Sequence, residues 1–151
     1  MNLVEKQAQQ SKIRMSASLD SSYPLIRADD RRLRQILINL LANAVKFTPE
    51  DGQIRVSSFP TNGGLAITVS DTGIGMAPED IPRAMTIFGQ VDSKISRKHD
   101  GSGLGLSLAK HLIELHGGTL TINSKVDVGT TVTLVLPSER IVQGTVLLAT
   151  G

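Results

Sequence analysis

Asn39, Asn43 and Phe47 recur at intervals of four, with Lys46 three residues after Asn43, in a segment otherwise rich in leucine. On a helix this spacing brings all four to one side. The chemistry on offer there suits a hard cation and an anion. An amide oxygen ligates Mg²⁺, which takes few protein ligands and keeps several waters, and a lysine ammonium offers phosphate a point charge. Taken alone, two asparagines also fit a solvated helix face, although asparagine lowers helix propensity. Further along, Asp71 closes an apolar string and is followed by Thr72-Gly73-Ile74-Gly75-Met76. An ionised carboxylate only accepts hydrogen bonds, so Asp71 suits the exocyclic amine of adenine, which guanine lacks at that position. Gly73 and Gly75 permit positive φ and let backbone approach a flat ring. A strand end with a tight turn is the alternative reading of this string.

A second glycine string, Gly101-Ser102-Gly103-Leu104-Gly105-Leu106, directly precedes a helical pattern. Its amides and the helix N-terminus can hold polyphosphate. It is not a dinucleotide fingerprint, which needs a preceding first strand and an acid about 20 residues on, and no Gly-Lys-Ser/Thr follows to make a P-loop. Lys94, Arg97, Lys98 and His99 stand between the two glycine strings. Cations there fit a lid that closes on phosphates. A solvated loop and a nucleic-acid patch are the alternatives. The second is disfavoured because Tyr23, Phe47, Phe59 and Phe88 are the only aromatics in the chain, too few for base stacking.

The elements that must position these groups fit one domain. With 151 residues, 40% hydrophobic and 20% charged, the chain can bury a real core. A net charge of +2 is too weak to argue for nucleic acid or membrane. The absence of cysteine excludes disulfides and thiolate zinc sites. His99, His111 and His116 lack ligand spacing, and no apolar run nears the ~20 residues of a membrane span. The polar N-terminus carries no signal-peptide pattern.

Periodicity predicts a helical segment over 2–11, a strand over 13–19 and an extended piece at 25–28. Asp29 or Asp30 caps a helix running to Phe47, with Leu33, Ile36, Leu37, Leu40, Leu41 and Ala44 on its apolar face. Residues 53–59 and 65–70 read as a hairpin, 77–80 opens a short helix, and 86–102 reads as a mobile loop. A helix follows over 104–116 with Leu104, Leu108, Leu112 and Leu115 on one side, stopped by Gly117-Gly118. A final hairpin pairs 119–123 with 130–136. Beyond Pro137, residues 141–149 are β-prone and read as an edge strand, a linker or foreign sequence. The fold class expected is α/β, a two-layer sandwich.

In their order, these strings resemble the catalytic ATP-binding domain of bacterial sensor histidine kinases, in the GHKL superfamily with gyrase, mismatch-repair and heat-shock chaperone ATPases. RRLRQILINLLANAVKFTPE resembles the N box, DTGIGM and GSGLGL the first two G boxes, GTTVTLVLP the third, and MTIFGQVDSKISRKHD the F box and lid. The similarity covers residues 28–137. It implies a Bergerat fold, a mixed, mostly antiparallel sheet of about five strands under three helices. It implies ATP and Mg²⁺ as cofactors, with Asn43 the Mg²⁺ ligand and Asn39 its helper and a possible second ligand. Lys46 would contact phosphate and Phe47 would wall the ribose and phosphates. Asp71 would read adenine in a slot shaped by Gly73, Gly75 and Met76, with Thr130 nearby. Arg97 would reach the phosphates from the lid, and Gly101, Ser102, Gly103, Leu104, Gly105 and Leu106 would supply its hinge and phosphate-facing amides. Asn43, Lys46 and Arg97 would form the catalytic set.

The resemblance further implies a domain that positions Mg-ATP for γ-phosphoryl transfer to a histidine on a separate domain. Residues 1–12 are then expected to be a remnant of the dimerisation and phosphoacceptor helix, 13–138 the catalytic domain and 139–151 a tail or linker. Without the phosphoacceptor, this piece is expected not to autophosphorylate. Expected partners are the phosphoacceptor domain and a response regulator, with no nucleic acid and no membrane contact, in the cytoplasm. Met85-Thr86-Ile87-Phe88 replaces the common FxPF string, and Gln90 stands where many such kinases have arginine. A pseudokinase-type regulatory module is therefore the rival reading. A serine-phosphorylating anti-sigma-type kinase is a third. A GHKL hydrolase is disfavoured, since Asn39 occupies the position of the hydrolases' glutamate and an amide cannot act as general base.

Overall fold

A computed structural model describes residues 2–18, 25–26, 29–62, 64–85, 105–138 and 141–142. Along it run α1 (Asn2–Gln10), β1 (Arg14–Ser18), β2 (Leu25–Ile26), α2 (Asp30–Phe47), β3 (Gln53–Thr61) and β4 (Gly64–Asp71). A 3-10 turn (Pro78–Asp80) then enters α3 (Ile81–Ala84), followed by α4 (Gly105–Leu115), β5 (Thr119–Lys125), β6 (Gly129–Pro137) and β7 (Ile141–Val142). The main sheet has the order β1-β3-β4-β6-β5. β1 runs parallel to β3 and the other pairings are antiparallel. β7 does not extend this sheet; it pairs with β2 in a separate two-stranded one. The expected mobile loop at 86–102 lies outside the described residues.

Alternation along the central strands decides which face is covered. Leu65, Ile67 and Val69 of β4 and Leu136, Leu134 and Val132 of β6 lie on one face, with Leu120 of β5 and Ile54 of β3, and all are buried. Helices α2 and α4 pack against each other, and Ile36, Leu40, Leu41, Ala109 and Ile113 join the strand residues in a single core. The opposite face carries Thr68, Ser70, Thr131 and Thr133, with Ser70 Oγ 2.8 Å from Thr131 Oγ1. One apolar and one polar face is the pattern of an antiparallel sheet covered on one side.

Asp29 caps α2 as expected. Its Oδ1 accepts from the N–H groups of Arg31 (3.0 Å) and Arg32 (3.3 Å), satisfying two donors that the helix itself cannot pair. At the far end of α4 the N–H of Gly118 donates to the Ile113 carbonyl (3.0 Å) and that of Gly117 to Glu114 (2.9 Å). This crossed pair is the Schellman stop. His116, buried beside it, joins the two helices. Its Nδ1 lies 2.9 Å from the Leu112 carbonyl and its Nε2 accepts from the Asp29 N–H at 3.2 Å. Since a carbonyl only accepts, Nδ1 carries the proton.

The apolar face of α4 differs from the expected leucine stripe. Leu106, Ala109, Leu112 and Ile113 are buried, whereas Leu108 is 40% exposed and Leu115 53%. Leu104 lies outside the described residues. The small Ala109 and branched Ile113 are fully buried in the core on the helix that packs against α2, so side-chain size does not choose the face.

α1 is fixed to the domain by its C-terminal turn. Ala8 is buried in the core. Ile13 N–H returns to the Ala8 carbonyl (2.9 Å), and Lys12, at φ 57°, offers its carbonyl to the Asp51 N–H (2.9 Å). Arg14 N–H donates to the Gly52 carbonyl (3.0 Å), and Gln53 N–H donates to Thr72 Oγ1 (3.0 Å).

Candidate functional site

The apolar ladder of the covered face ends on a polar rung. Strand register sets Asp71 opposite Thr130, and Thr130 opposite Ser124, so the three side chains share the face that Val69, Val132 and Ile122 occupy one rung earlier. Asp71 is half-buried there. Its Oδ1 accepts from the Gly73 N–H at 2.8 Å and the Thr130 N–H at 3.3 Å. Both donors go to one oxygen, and Oδ2 has no hydrogen bond among the described residues. Burial pushes the Asp71 carboxyl above its usual range, and the hydrogen bonds from Gly73 and Thr130 offset part of that rise.

The glycines after Asp71 do different work. A Cβ on Gly73 would stand 2.5 Å from the Phe47 carbonyl oxygen and 2.8 Å from Asp71 Oδ1. Its requirement is space, not a positive φ. Gly75 does have φ +68°, and a Cβ there would strike the carbonyl of Lys125. Met76 donates its N–H to Ser124 Oγ at 2.7 Å and packs its side chain against the core.

α2 connects the two glycine strings. Ile74 N–H donates to the Phe47 carbonyl (3.1 Å), which fixes the first glycine turn to the C-terminus of the helix. Gly105, the first residue of α4, has the Asn39 carbonyl near its α-carbon; a Cβ there would lie 3.9 Å away. Asn39 and Phe47 are separated by about 12 Å along the axis. Asn43 and Lys46 lie between them, and all four side chains are half-buried. Gln35 Nε2 donates to Asn39 Oδ1 at 2.8 Å, while Asn39 Nδ2 is buried with no hydrogen-bond partner among the described residues. A buried unpaired donor is costly. Lys46 Nζ stands 5.8 Å from the Phe47 ring centroid, within cation–π range.

The structure thus brings Asp71, Gly73, Gly75, Met76, Phe47 and Thr130 together at one end of α2, and Gly105 to Asn39 at the other. Leu106 turns its side chain into the core. Arg97, Gly101, Ser102, Gly103 and Leu104 lie outside the described residues. Ser124 was not among the residues that the sequence points to. Thr72, whose hydroxyl accepts from Gln53 N–H, was missed as well. Only the strand register could have found Ser124, because it depends on which residue of β5 faces Thr130.

Residues 28–140 match the model of the family described as histidine kinase-, DNA gyrase B- and HSP90-like ATPases. The chain belongs to this family. Within it, several relatives are named histidine kinases, and the domain is of their ATP-binding catalytic type. The chain is 39% identical over 137 residues to an uncharacterised sensor-like histidine kinase of Rhizobium meliloti, covering 91% of this chain and 26% of that protein. It is 39% identical over 145 residues to the circadian input-output histidine kinase CikA of Synechococcus elongatus, covering 95% of this chain and 19% of that one. Full-length ShkA, solved in complex with AMPPNP, superposes with a TM-score of 0.80 at 32% identity over 96% of this chain and 29% of its own. The chain therefore spans between about a fifth and three-tenths of the length of these relatives. Its five-stranded mixed sheet under helices is the architecture of histidine kinase catalytic domains. None of its described helices is long and apolar enough to cross a membrane.

Proposed function

We propose that this histidine kinase-type domain binds Mg-ATP and presents the γ-phosphoryl group to a histidine supplied by a separate phosphoacceptor domain, for onward transfer to a response regulator. The observation that carries the reading is Asp71. Its carboxylate closes an apolar sheet face, one oxygen is held by two backbone N–H groups, and the other is left to a ligand. That is a site for an adenine amine.

The rest of the site follows from α2. Asn39 commits Oδ1 to Gln35 and keeps an N–H without a partner among the described residues, the polarity that suits a phosphate oxygen. Asn43 is the residue that would hold Mg²⁺, whose charge would offset that of the triphosphate. Among the described residues no three His, Asp or Glu side chains gather as a metal site, which fits a cation held by one amide and the phosphates. Lys46 adds a cation beside them, and Arg97 would reach the phosphates from the lid. Phosphoryl transfer needs alignment and charge neutralisation more than covalent help. No carboxylate replaces Asn39 to deprotonate water, so the bound nucleotide is kept for an imidazole. Residues 1–12 belong in this reading to a dimerisation helix, 13–138 to the catalytic unit, 139–151 to a tail, and the location is cytoplasmic.

The test combines the chain with a phosphoacceptor domain, labelled ATP and Mg²⁺. Phosphohistidine is the expected product. Nucleotide binding without transfer supports instead a regulatory module, a reading that the altered Met85–Phe88 string favours. Titration of ATP, ADP and GTP, with and without Mg²⁺, reads the binding step alone; equal affinity for ATP and GTP overturns the role given to Asp71.

A further inference from the structure

The polar rung contains a hydroxyl that the ATP site does not by itself require. Ser124 Oγ makes three contacts: it accepts the Met76 N–H at 2.7 Å, lies 3.2 Å from the Gly129 carbonyl, and lies 2.7 Å from Thr130 Oγ1. A serine hydroxyl has one proton and two lone pairs. The carbonyl of Gly129 can only accept, so it takes the Ser124 proton. Met76 occupies one lone pair. The short contact to Thr130 then has to be made by the Thr130 proton, donated to the remaining lone pair. All three contacts are satisfied in this one way.

The consequence falls on Thr130. Its proton is spent inside the sheet, so its oxygen meets the pocket as an acceptor only. Asp71, ionised, is also acceptor-only, and its Oδ1 is joined to Thr130 through the Thr130 N–H. We infer that Ser124 is a positioning residue for base selection: by holding the Thr130 proton, it makes the floor of the pocket a row of acceptors. Such a row welcomes a base edge that donates, as the 6-amino group of adenine does. It repels the 6-oxo group of hypoxanthine or guanine, which would face acceptors with no proton between them. The inference deepens the ATP reading and rests on it.

Without the Ser124 hydroxyl, the Thr130 hydroxyl is free to rotate and donate its proton into the pocket. It then pairs with a 6-oxo group. Affinities of the 151-residue chain for ATP and ITP, measured by calorimetry for the parent and for Ser124→Ala, test this. The expected result is a preference for ATP that narrows by about tenfold, the worth of one well-placed hydrogen bond. Ser124→Thr restores it, since the hydroxyl returns. In a Thr130→Val background Ser124→Ala leaves the ratio unchanged, because the proton in question is gone. A purely structural serine lowers both affinities together. That outcome, an unchanged ratio, or loss of folding in Ser124→Ala seen by circular dichroism overturns the inference and leaves the ATP reading standing. A parent chain that does not prefer ATP over ITP overturns both.

Discussion

Asp71 carries opposed demands. Burial of its carboxylate works against folding, yet an ionised oxygen is what an adenine amine needs. Because its pKa is raised in the fold, the folded state holds the proton more readily than the unfolded chain. The burden on stability is therefore fully present above the folded pKa and is relieved as pH falls through it. Asp71→Asn keeps an acceptor for Gly73 and Thr130 but puts a donor amine where Oδ2 stood. It should lower ATP affinity at least tenfold in calorimetry, with a melting temperature at neutral pH equal to or above the parent's. ATP affinity of the parent should fall on acidification, starting at a higher pH than an ordinary carboxylate would set. Asn43→Ala should remove the part of ATP affinity that depends on Mg²⁺ and leave the circular dichroism spectrum intact, since alanine is the better helix former. Unchanged Mg²⁺ dependence would count against Asn43 as the ligand. At this scale the sequence speaks where spacing along one element matters, as in placing Asn39 and Asn43 one turn apart on α2. It is silent on Ser124, whose place depends on pairing with a strand distant from Asp71.

Elements were legible in their extent and less so in their orientation. Asp29, Thr48 and the Gly117-Gly118 pair bound the two long helices close to where their chemistry predicts. On α4 the leucine spacing does not mark the buried face, since Ala109 and Ile113 are fully buried and Leu108 and Leu115 are exposed. Ile113→Ala should therefore destabilise by about 2–5 kcal/mol in denaturant unfolding, while Leu108→Gln stays within about 0.5 kcal/mol. A reversed order would restore the leucine stripe. The turn after β4 is held by shape. Gly75→Ala forces a left-handed residue against the Lys125 carbonyl, and a loss of about 2 kcal/mol or more is expected. Part of that loss should reappear as weaker ATP binding, since Met76 and Ser124 lie on the same connection.

For the whole molecule, composition and alternation predicted a two-layer α/β unit, but not its strand order. Nothing in the local pattern says that β1 lies parallel beside β3, or that β6 enters between β4 and β5. Those neighbours are chosen by which faces bury together, a property of the assembled sheet. The pairing of 141–142 with 25–26 was equally invisible, as two residues carry no period. Ligand binding offers a test at this scale. A nucleotide at a hundred times its dissociation constant stabilises the folded form by about 2.7 kcal/mol. For a chain of this size that corresponds to a rise of roughly 5–10 °C in melting temperature. ATP with Mg²⁺ should give this rise in differential scanning fluorimetry, and GTP should give little.

The attachment of α1 bears on how such a molecule is controlled. Lys12 grips the Asp51–Gly52 bend from one side, and Gln53 ties the same bend to Thr72, the neighbour of Asp71. The first helix and the turn after Asp71 are therefore joined by a short chain of hydrogen bonds. If movement of α1 and nucleotide binding are coupled through these bonds, the coupling is reciprocal: ATP with Mg²⁺ should then slow hydrogen exchange in α1, and unchanged exchange there would show that the two are independent.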